Sequence, residues 1–271
     1  MIDAQAQYES CDYYSHADPQ RAFGASSLAL SGNRIKAHSR RDLTIVPISA
    51  SQTIVIACDS CGAIGEKPGD ILELPPRIAA KLTARVALTE VLCSGAFPIA
   101  ITNSVSCEMN PTGEETIVGV REELHNAGFS NIVLNGSTEE NFTTCMTALS
   151  ITVVGVAANS NLKFGSASKG DDLLLMGLPY VGKQVDLNSS GFYLQIRRLL
   201  AMKEVKEIVP VGSKGVAHEA QILASLSGTH AELFDTGIDY HKSAGPATCL
   251  VILCDRSASS RIPGTLIGTI R

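Results

Sequence analysis

The chain has 271 residues, enough for one large domain or two ordinary ones. A hydrophobic fraction of 45% against 18% charged residues excludes a disordered chain and leaves room for a sizeable core. The net charge of -5, the absence of Trp and an aromatic content of 5% argue against a nucleic-acid binder, which needs a basic stripe and stacking platforms.

The longest apolar candidate, Met146 to Ala158, is broken by Thr and Ser and falls short of a membrane span. The start, Met1-Ile2-Asp3, continues polar and lacks a charged-then-apolar leader, so the default expectation is a cytoplasmic protein without a membrane partner. The eight cysteines are scattered through apolar runs and read as small core residues in a reducing compartment.

In chain order, residues 1–40 are polar and irregular and read as an N-terminal arm with an edge strand. Two β-branched runs, Leu43–Ile48 and Thr53–Ala57, predict strands, with Pro47 at an edge or strand end. Pro75-Pro76 opens a long helix that ends at Gly95. Strands follow at Phe97–Val105, Asn131–Leu134 and Met146–Val156, with a helix at Glu114–Asn126 that has an acidic first turn and is closed by Gly128. The stretch 157–170, rich in Asn, Ser and Gly, reads as a linker. Beyond it come a strand at Asp172–Met176, helices at Gly191–Lys203 and Gly215–Ser227, and a strand at Thr248–Cys254. Alternating elements indicate mixed α and β in both halves: a unit over 41–158 and a second α/β unit over 170–271.

Several groups of residues could carry chemistry. Asp42 precedes the first strand and Asp59 directly follows the second, leading into a Gly-containing loop that ends near Lys67. Carboxylates at strand ends beside such a loop suit Mg²⁺ and phosphate oxygens, and equally suit turn capping. Glu90 is the only acid inside its helix, set among small and apolar residues and away from Arg77, Lys81 and Arg85. A carboxylate placed so needs a metal, a cation or a salt bridge. Leu134-Asn-Gly-Ser-Thr-Glu-Glu-Asn141 reads either as a hairpin loop or as an anion site, with Glu139 or Glu140 as a metal ligand. Gly177 to Lys183 fits the spacing of a P-loop, but Gln184 stands where Ser or Thr should follow and no helix pattern begins there. Cys58 and Cys61 form a lone C-x-x-C without a second ligand pair, and His218-Glu219 reads as ordinary helix surface. The turn His241–Pro246 brings Lys, Ser and Gly to a place where they could meet a ligand.

The order of these features resembles the PurM-like ATP-binding superfamily, which includes aminoimidazole ribonucleotide synthetase, thiamine-monophosphate kinase and selenophosphate synthetase. The resemblance rests on Asp42 before the first core strand, Ala57-Cys-Asp59, the run Glu90 to Pro98, Asn135-Gly136-Ser137-Thr138 before a long strand ending in Gly155, and Lys169-Gly-Asp-Asp opening the second unit. It departs from the family at Arg41, where a second Asp is usual, at Glu90, where Asp is common, and at Ser137, where the loop Asp is missing. Val209–Gly215 with His218-Glu219, and Lys242–Thr248, resemble the α-ribazole kinase branch.

The resemblance implies an α+β fold: an N-terminal mixed sheet that pairs with its twin into a dimeric barrel, and a C-terminal α/β domain. It implies ATP and Mg²⁺ as cofactors and a homodimer. Asp42, Asp59, Glu90 and Glu139 would hold the metal, with Asp59 and Lys67 catalytic. Lys67 and the Asn135, Gly136, Ser137 and Thr138 backbone would hold phosphates, and Lys214, Lys242, Ser243 and Gly245 would face the acceptor. The implied reaction is phosphorylation of a small nucleoside-like acceptor, α-ribazole first. An ATP-dependent synthase and a nucleotide-binding regulator without turnover are the alternatives.

Overall fold

The computed structural model describes residues 27–30 and 33–271. The arm expected over 1–40 lies largely outside the described residues. Its end forms a hairpin of β1 (Ser27–Leu30) and β2 (Asn33–Lys36), followed by the edge strand β3 (His38–Arg40).

A six-stranded sheet follows, in the order β3-β4-β5-β10-β8-β9. It contains β4 (Leu43–Pro47), β5 (Gln52–Gly62), β8 (Phe97–Val105), β9 (Val133–Thr138) and β10 (Ala148–Ala158). The sheet is mixed, because β8 and β9 run parallel while the other neighbours are antiparallel. It is open, with β3 and β9 as its edges. A short parallel pair, β6 (Ile64–Gly65) and β7 (Leu72–Glu73), brackets the loop that carries Lys67.

Helix α1 (Pro76–Cys93) has proline in its first turn and buries Ala79, Ala80, Ala84, Ala87, Leu88 and Val91. Its small side chains let it pack on β5 and β10 on one side and on β12 (Val205–Pro210) of the second sheet on another. Gly95 follows with φ +87°, and a Cβ there would lie 2.1 Å from the Asn161 carbonyl oxygen, so only glycine fits. Helix α2 (Glu114–Ala127) ends on left-handed Gly128 and packs along α1.

The second sheet has the order β12-β14-β11-β15-β13, with β11 (Asp172–Gly177), β13 (Ala231–Leu233), β14 (Cys249–Cys254) and β15 (Thr265–Ile270). Every neighbouring pair is antiparallel, so the second unit is α+β rather than α/β. One face joins the core around α1 and α3 (Ser190–Leu200), and the other packs under α4 (Gly215–Ser225). Among the described residues no helix is long and apolar enough to cross a membrane.

Three expectations change. The strand expected to stop at Ala57 runs on to Gly62, so Asp59 sits inside β5, opposite Ile151, rather than in a loop. The ladder to β10 supports those polar residues, whose side chains still alternate between the two faces. Asn135 to Thr138 likewise lie within β9. Gly136 is required because a Cβ would meet the Asn103 carbonyl oxygen at 2.2 Å. The hairpin reading therefore fails: β9 pairs with β8 in parallel, not with the strand that follows it. The expected linker at 157–170 is packed, with Lys163 N–H donating to Ser94 O and Gly165 N–H to Lys206 O.

Candidate active site

Between β8, β9 and α2 lies a cavity of about 250 Å³. Asn135, Gly136, Ser137 and Thr138 line it, together with Asn103 and Val105 of β8 and Ile117 and Arg121 of α2. The tight turn Met109–Gly113 closes one end, with Glu108 just before it. Lys67 stands at that end: its Nζ donates to Glu108 Oε2 at 2.6 Å. Burial pushes the Glu108 carboxyl up, but hydrogen bonds from Lys67 and Thr112 prevail and hold it at about 2. Asp70 shapes the Lys67 loop by accepting from the N–H of Lys67 and from both the N–H and hydroxyl of Thr147.

The second centre is a carboxylate cluster where the two sheets meet. The turn between β3 and β4 places Arg41 in the left-handed region, at φ +52°, and drives its side chain inward. Arg41 Nη2 lies 3.3 Å from Glu90 Oε2 of α1, and its Nε lies 3.7 Å from Glu207 Oε1 of β12. Arg40 donates to the other oxygen of Glu207 at 2.7 Å. Asp42, next along the turn, is exposed.

The acids perturb one another. Burial, opposed by Arg41 and reinforced by Asp42 and Asp59, pushes Glu90 up to about 7. Glu219 of α4 also rises to about 7, through burial first, with Arg41 opposing and Glu90 and Asp42 adding. Asp59 rises to about 6 through burial and the nearby Asp42, against a hydrogen bond from the Ser60 N–H. Buried acids that repel one another are the electrostatic condition a bound cation relieves.

The acceptor-side residues also assemble. Lys214 begins α4, and its charge acts on both Glu219 and His218. The loop that carries Ser243 and Gly245 docks on the turn before α4, where Ala244 N–H donates to Gly212 O at 3.1 Å. Gly245 N–H donates to Ser243 Oγ. Lys242 Nζ donates to Gln184 Oε1 at 2.9 Å and lies over the Tyr180 ring. The Gly177–Gln184 segment is thus a loop against Lys242, not a P-loop; α3 starts only at Ser190.

Asp42, Asp59 and Glu90 are therefore neighbours. Glu139 is not with them: it follows the end of β9, three strands from β5, and its Oε1 accepts from Asn141 N–H. The row Asp59–Ile151–Asn103–Gly136 crosses about 14 Å of sheet, which separates the acid cluster from the β9 cavity. Among the described residues no three His, Cys, Asp or Glu side chains stand close enough to hold a metal by themselves. Mg²⁺ does not need three: it takes one or two carboxylates and completes its shell with water and phosphate oxygens. Exposed Asp42 beside half-buried Asp59, all oxygen donors, fit that requirement, whereas Glu90 is engaged by Arg41. Cys58 and Cys61 are free thiols.

Sequence reasoning missed Arg41, Glu207, Asn103 and Arg121 and misassigned Glu219 as surface. A lone buried Glu in α1 signalled a missing cation, and the adjacent Arg40-Arg41 before Asp42 was the available clue.

Residues 40–157 match the family described as AIR synthase related protein, N-terminal domain. The match covers less than half of the chain and makes this segment similar to that family. Solved structures share the fold over more of the chain. Thermotoga maritima PurL complexed with ATP is 14% identical, with a TM-score of 0.67 over 83% of this chain and 41% of that one. Thiamine monophosphate kinase from Aquifex aeolicus is 14% identical, with a TM-score of 0.64 over 86% of this chain and 90% of that one. AaThiL complexed with AMPPCP and TMP gives a TM-score of 0.63 at 14% identity, over 85% and 84% of the two chains. This chain spans about two fifths of the length of PurL. No curated protein matches the chain. At these identities the solved structures establish a shared fold.

Proposed function

We propose that this protein is an ATP- and Mg²⁺-dependent kinase of a small nucleoside-like acceptor, with α-ribazole the first candidate. The observation that carries the reading is the meeting, at one junction, of Asp42 from the β3–β4 turn, Asp59 of β5 and Glu90 of α1 with Glu219 and Lys214 at the start of α4. Phosphoryl transfer asks mainly for positioning and charge neutralisation, and a junction that sets acids against a lysine-bearing loop supplies both. PurL complexed with ATP and AaThiL complexed with AMPPCP and TMP share the fold.

In this reading Asp42 and Asp59 would hold Mg²⁺ at the junction, where it would neutralise charge on the phosphoryl group nearest the acceptor rather than on the part of the nucleotide held along β9. Lys67 and the β9 backbone from Asn135 to Thr138 hold the triphosphate, and Glu108 keeps the Lys67 ammonium in place. Glu139 lies at the triphosphate end rather than with Asp42. Arg41 fixes Glu90 and Glu207 and so sets the first sheet against the second. Lys214, Lys242, Ser243 and Gly245 face the acceptor. The domains divide at 41–158 and 170–271, with the acceptor between them.

The outer face of the six-stranded sheet supports a homodimer. Ile54, Ile56, Val154 and Val156 alternate with the helix-covered residues and remain half-buried. Two such faces packed together would form the dimeric barrel. Light scattering should give twice the chain mass, and Val154→Arg should give a monomer.

An ADP-release assay with and without α-ribazole tests the kinase. Acceptor-dependent ADP release that is lost in Asp59→Ala supports it. Full activity of the double variant Asp59→Ala/Glu90→Ala would refute the site.

A further inference from the structure

Asn135-Gly136 is the one Asn-Gly pair in the chain. It lies in β9, an edge strand of the first sheet, and both residues are exposed. The Gly136 N–H donates to Asn135 Oδ1 at 2.8 Å. The contact folds the side chain back on its own backbone and brings the Gly136 nitrogen beside Cγ, the carbon that carries Oδ1. Residue 136 has no Cβ to obstruct the approach. Among the described residues no other hydrogen bond holds the Asn135 amide.

The asparagines that precede serine, a neighbour nearly as small, are held differently. Asn103 is buried and its NH₂ group donates to Thr116. Asn159 is held at both ends of its amide: Oδ1 accepts from the Thr53 hydroxyl at 2.8 Å and Nδ2 donates to the Ala50 carbonyl at 3.0 Å. Asn188 Oδ1 accepts from the N–H of Ser190, two residues on, and not from that of Ser189.

We propose that Asn135 is a site of spontaneous deamidation in the folded protein, and that the acid it forms weakens anion binding along β9. The Gly136 nitrogen gives its proton to hydroxide and bonds to Cγ of Asn135. The bond from Cγ to the side-chain nitrogen breaks, and that nitrogen takes a proton from water and leaves as ammonia. Water then opens the cyclic imide at one carbonyl to give aspartate or at the other to give isoaspartate. Holding nucleophile and electrophile in contact is what accelerates such an intramolecular attack. Asn135 lines the cavity between β8, β9 and α2, so the product sets a negative charge at its wall. The effect on ligands rests on the reading above that β9 holds phosphates. Repulsion between the new carboxylate and those phosphates corresponds to roughly a tenfold loss in ATP affinity.

Peptide mapping by mass spectrometry tests the site, on the full chain aged at neutral and at mildly alkaline pH, beside the same chain unfolded in urea. Conversion at Asn135 should be at least as fast in the folded chain as in urea. It should quicken in alkali, yield isoaspartate as well as aspartate, and spare Asn103, Asn159 and Asn188 in the folded chain. Asn135→Gln, which could close only a larger ring, should lose the conversion at this position. Conversion of Asn135 in urea but not in the folded chain, or equal conversion of the three Asn-Ser sites, overturns the inference. Calorimetric titration of fresh and aged protein with ATP tests the consequence, with roughly tenfold weaker binding expected after ageing. Unchanged affinity in converted protein would leave the modification site standing and overturn its effect on binding. Failure of fresh protein to bind ATP would overturn the nucleotide reading and that effect with it, while the mapping result would still decide the site.

Discussion

Glu123 offers the sharpest test of how the two sheets are held together. It is fully buried on α2, and its Oε1 receives three donors: Arg85 Nε at 2.9 Å, Ser189 Oγ at 2.7 Å and Tyr193 OH at 2.8 Å. Arg85 also donates to the carbonyl oxygens of Asp186 and Leu187, so one carboxylate organises α1, α3 and the segment between the Gln184 loop and α3. Glu123→Ala leaves a buried guanidinium without its counter-charge and two hydroxyls without their acceptor. Breaking a buried pair in this way costs about 3–5 kcal/mol. That is a large part of the ordinary stability of a folded domain, and should lower the melting temperature by roughly 10 °C. Urea and thermal unfolding followed by circular dichroism measure it. Glu122→Ala is the control, since Glu122 is itself partly exposed, pairs with exposed Arg77 and lies 3.5 Å from Lys81, and should cost less than Glu123→Ala. Equal effects of the two substitutions would refute the reasoning that burial sets the difference.

The remaining predictions concern the site. Asp59, at about 6, and Glu90 and Glu219, at about 7, hold protons more tightly in the fold than in the unfolded chain. Their contribution is therefore full in acid and lost as the pH rises towards 7, so the urea midpoint without Mg²⁺ should fall between about pH 5 and pH 7.5. Glu108, held at about 2, acts oppositely and only in stronger acid, where stability is lost as the pH falls through its folded value. Asp59→Asn should flatten the fall towards neutral pH; an unchanged profile would contradict the assignment. Added Mg²⁺ should raise the melting temperature of the unmodified protein near pH 7.5 and leave Asp59→Asn unmoved, as scanning calorimetry would show. Asp70→Ala removes the acceptor of three hydrogen bonds that shape the Lys67 loop and should weaken ATP binding several-fold in a calorimetric titration.

Elements with strong local signals were legible in the sequence. Proline at the start and glycine after the end bounded α1, and the β-branched run Phe97–Val105 formed the strand expected of it. The strand expected over Asn131–Leu134 begins β9, but its continuation to Thr138 was not legible, because Asn-Gly-Ser-Thr has the composition of a turn. What makes it a strand is the parallel ladder to β8, a partner distant in the chain. The same holds for the polar end of β5, and for β12 and β15, which pass without punctuation as loops but pair with β14 and β11.

The site shows the same division. Glu90 could be recognised as a buried acid from its small and apolar neighbours along one helix. Its partner, Arg41, sits 49 positions earlier and points inward only because of a left-handed turn. Glu219 has Val216, Ile222 and Leu223 at helical spacing around it, which marks a buried face; burial raises its carboxyl first, and the further push from Glu90 and Asp42, opposed by Arg41, comes from the other half of the chain and was not legible.

The central claim is transfer of a phosphoryl group from ATP to a small acceptor. Phosphorus NMR of the protein with ATP, Mg²⁺ and α-ribazole, beside a tube without α-ribazole, tests it most directly. The kinase reading requires a new phosphate-ester signal that depends on the acceptor and is absent with Asp59→Ala. ADP and free phosphate without an ester would contradict it and point to a synthase; no ATP consumption in either tube would contradict phosphoryl transfer to this acceptor.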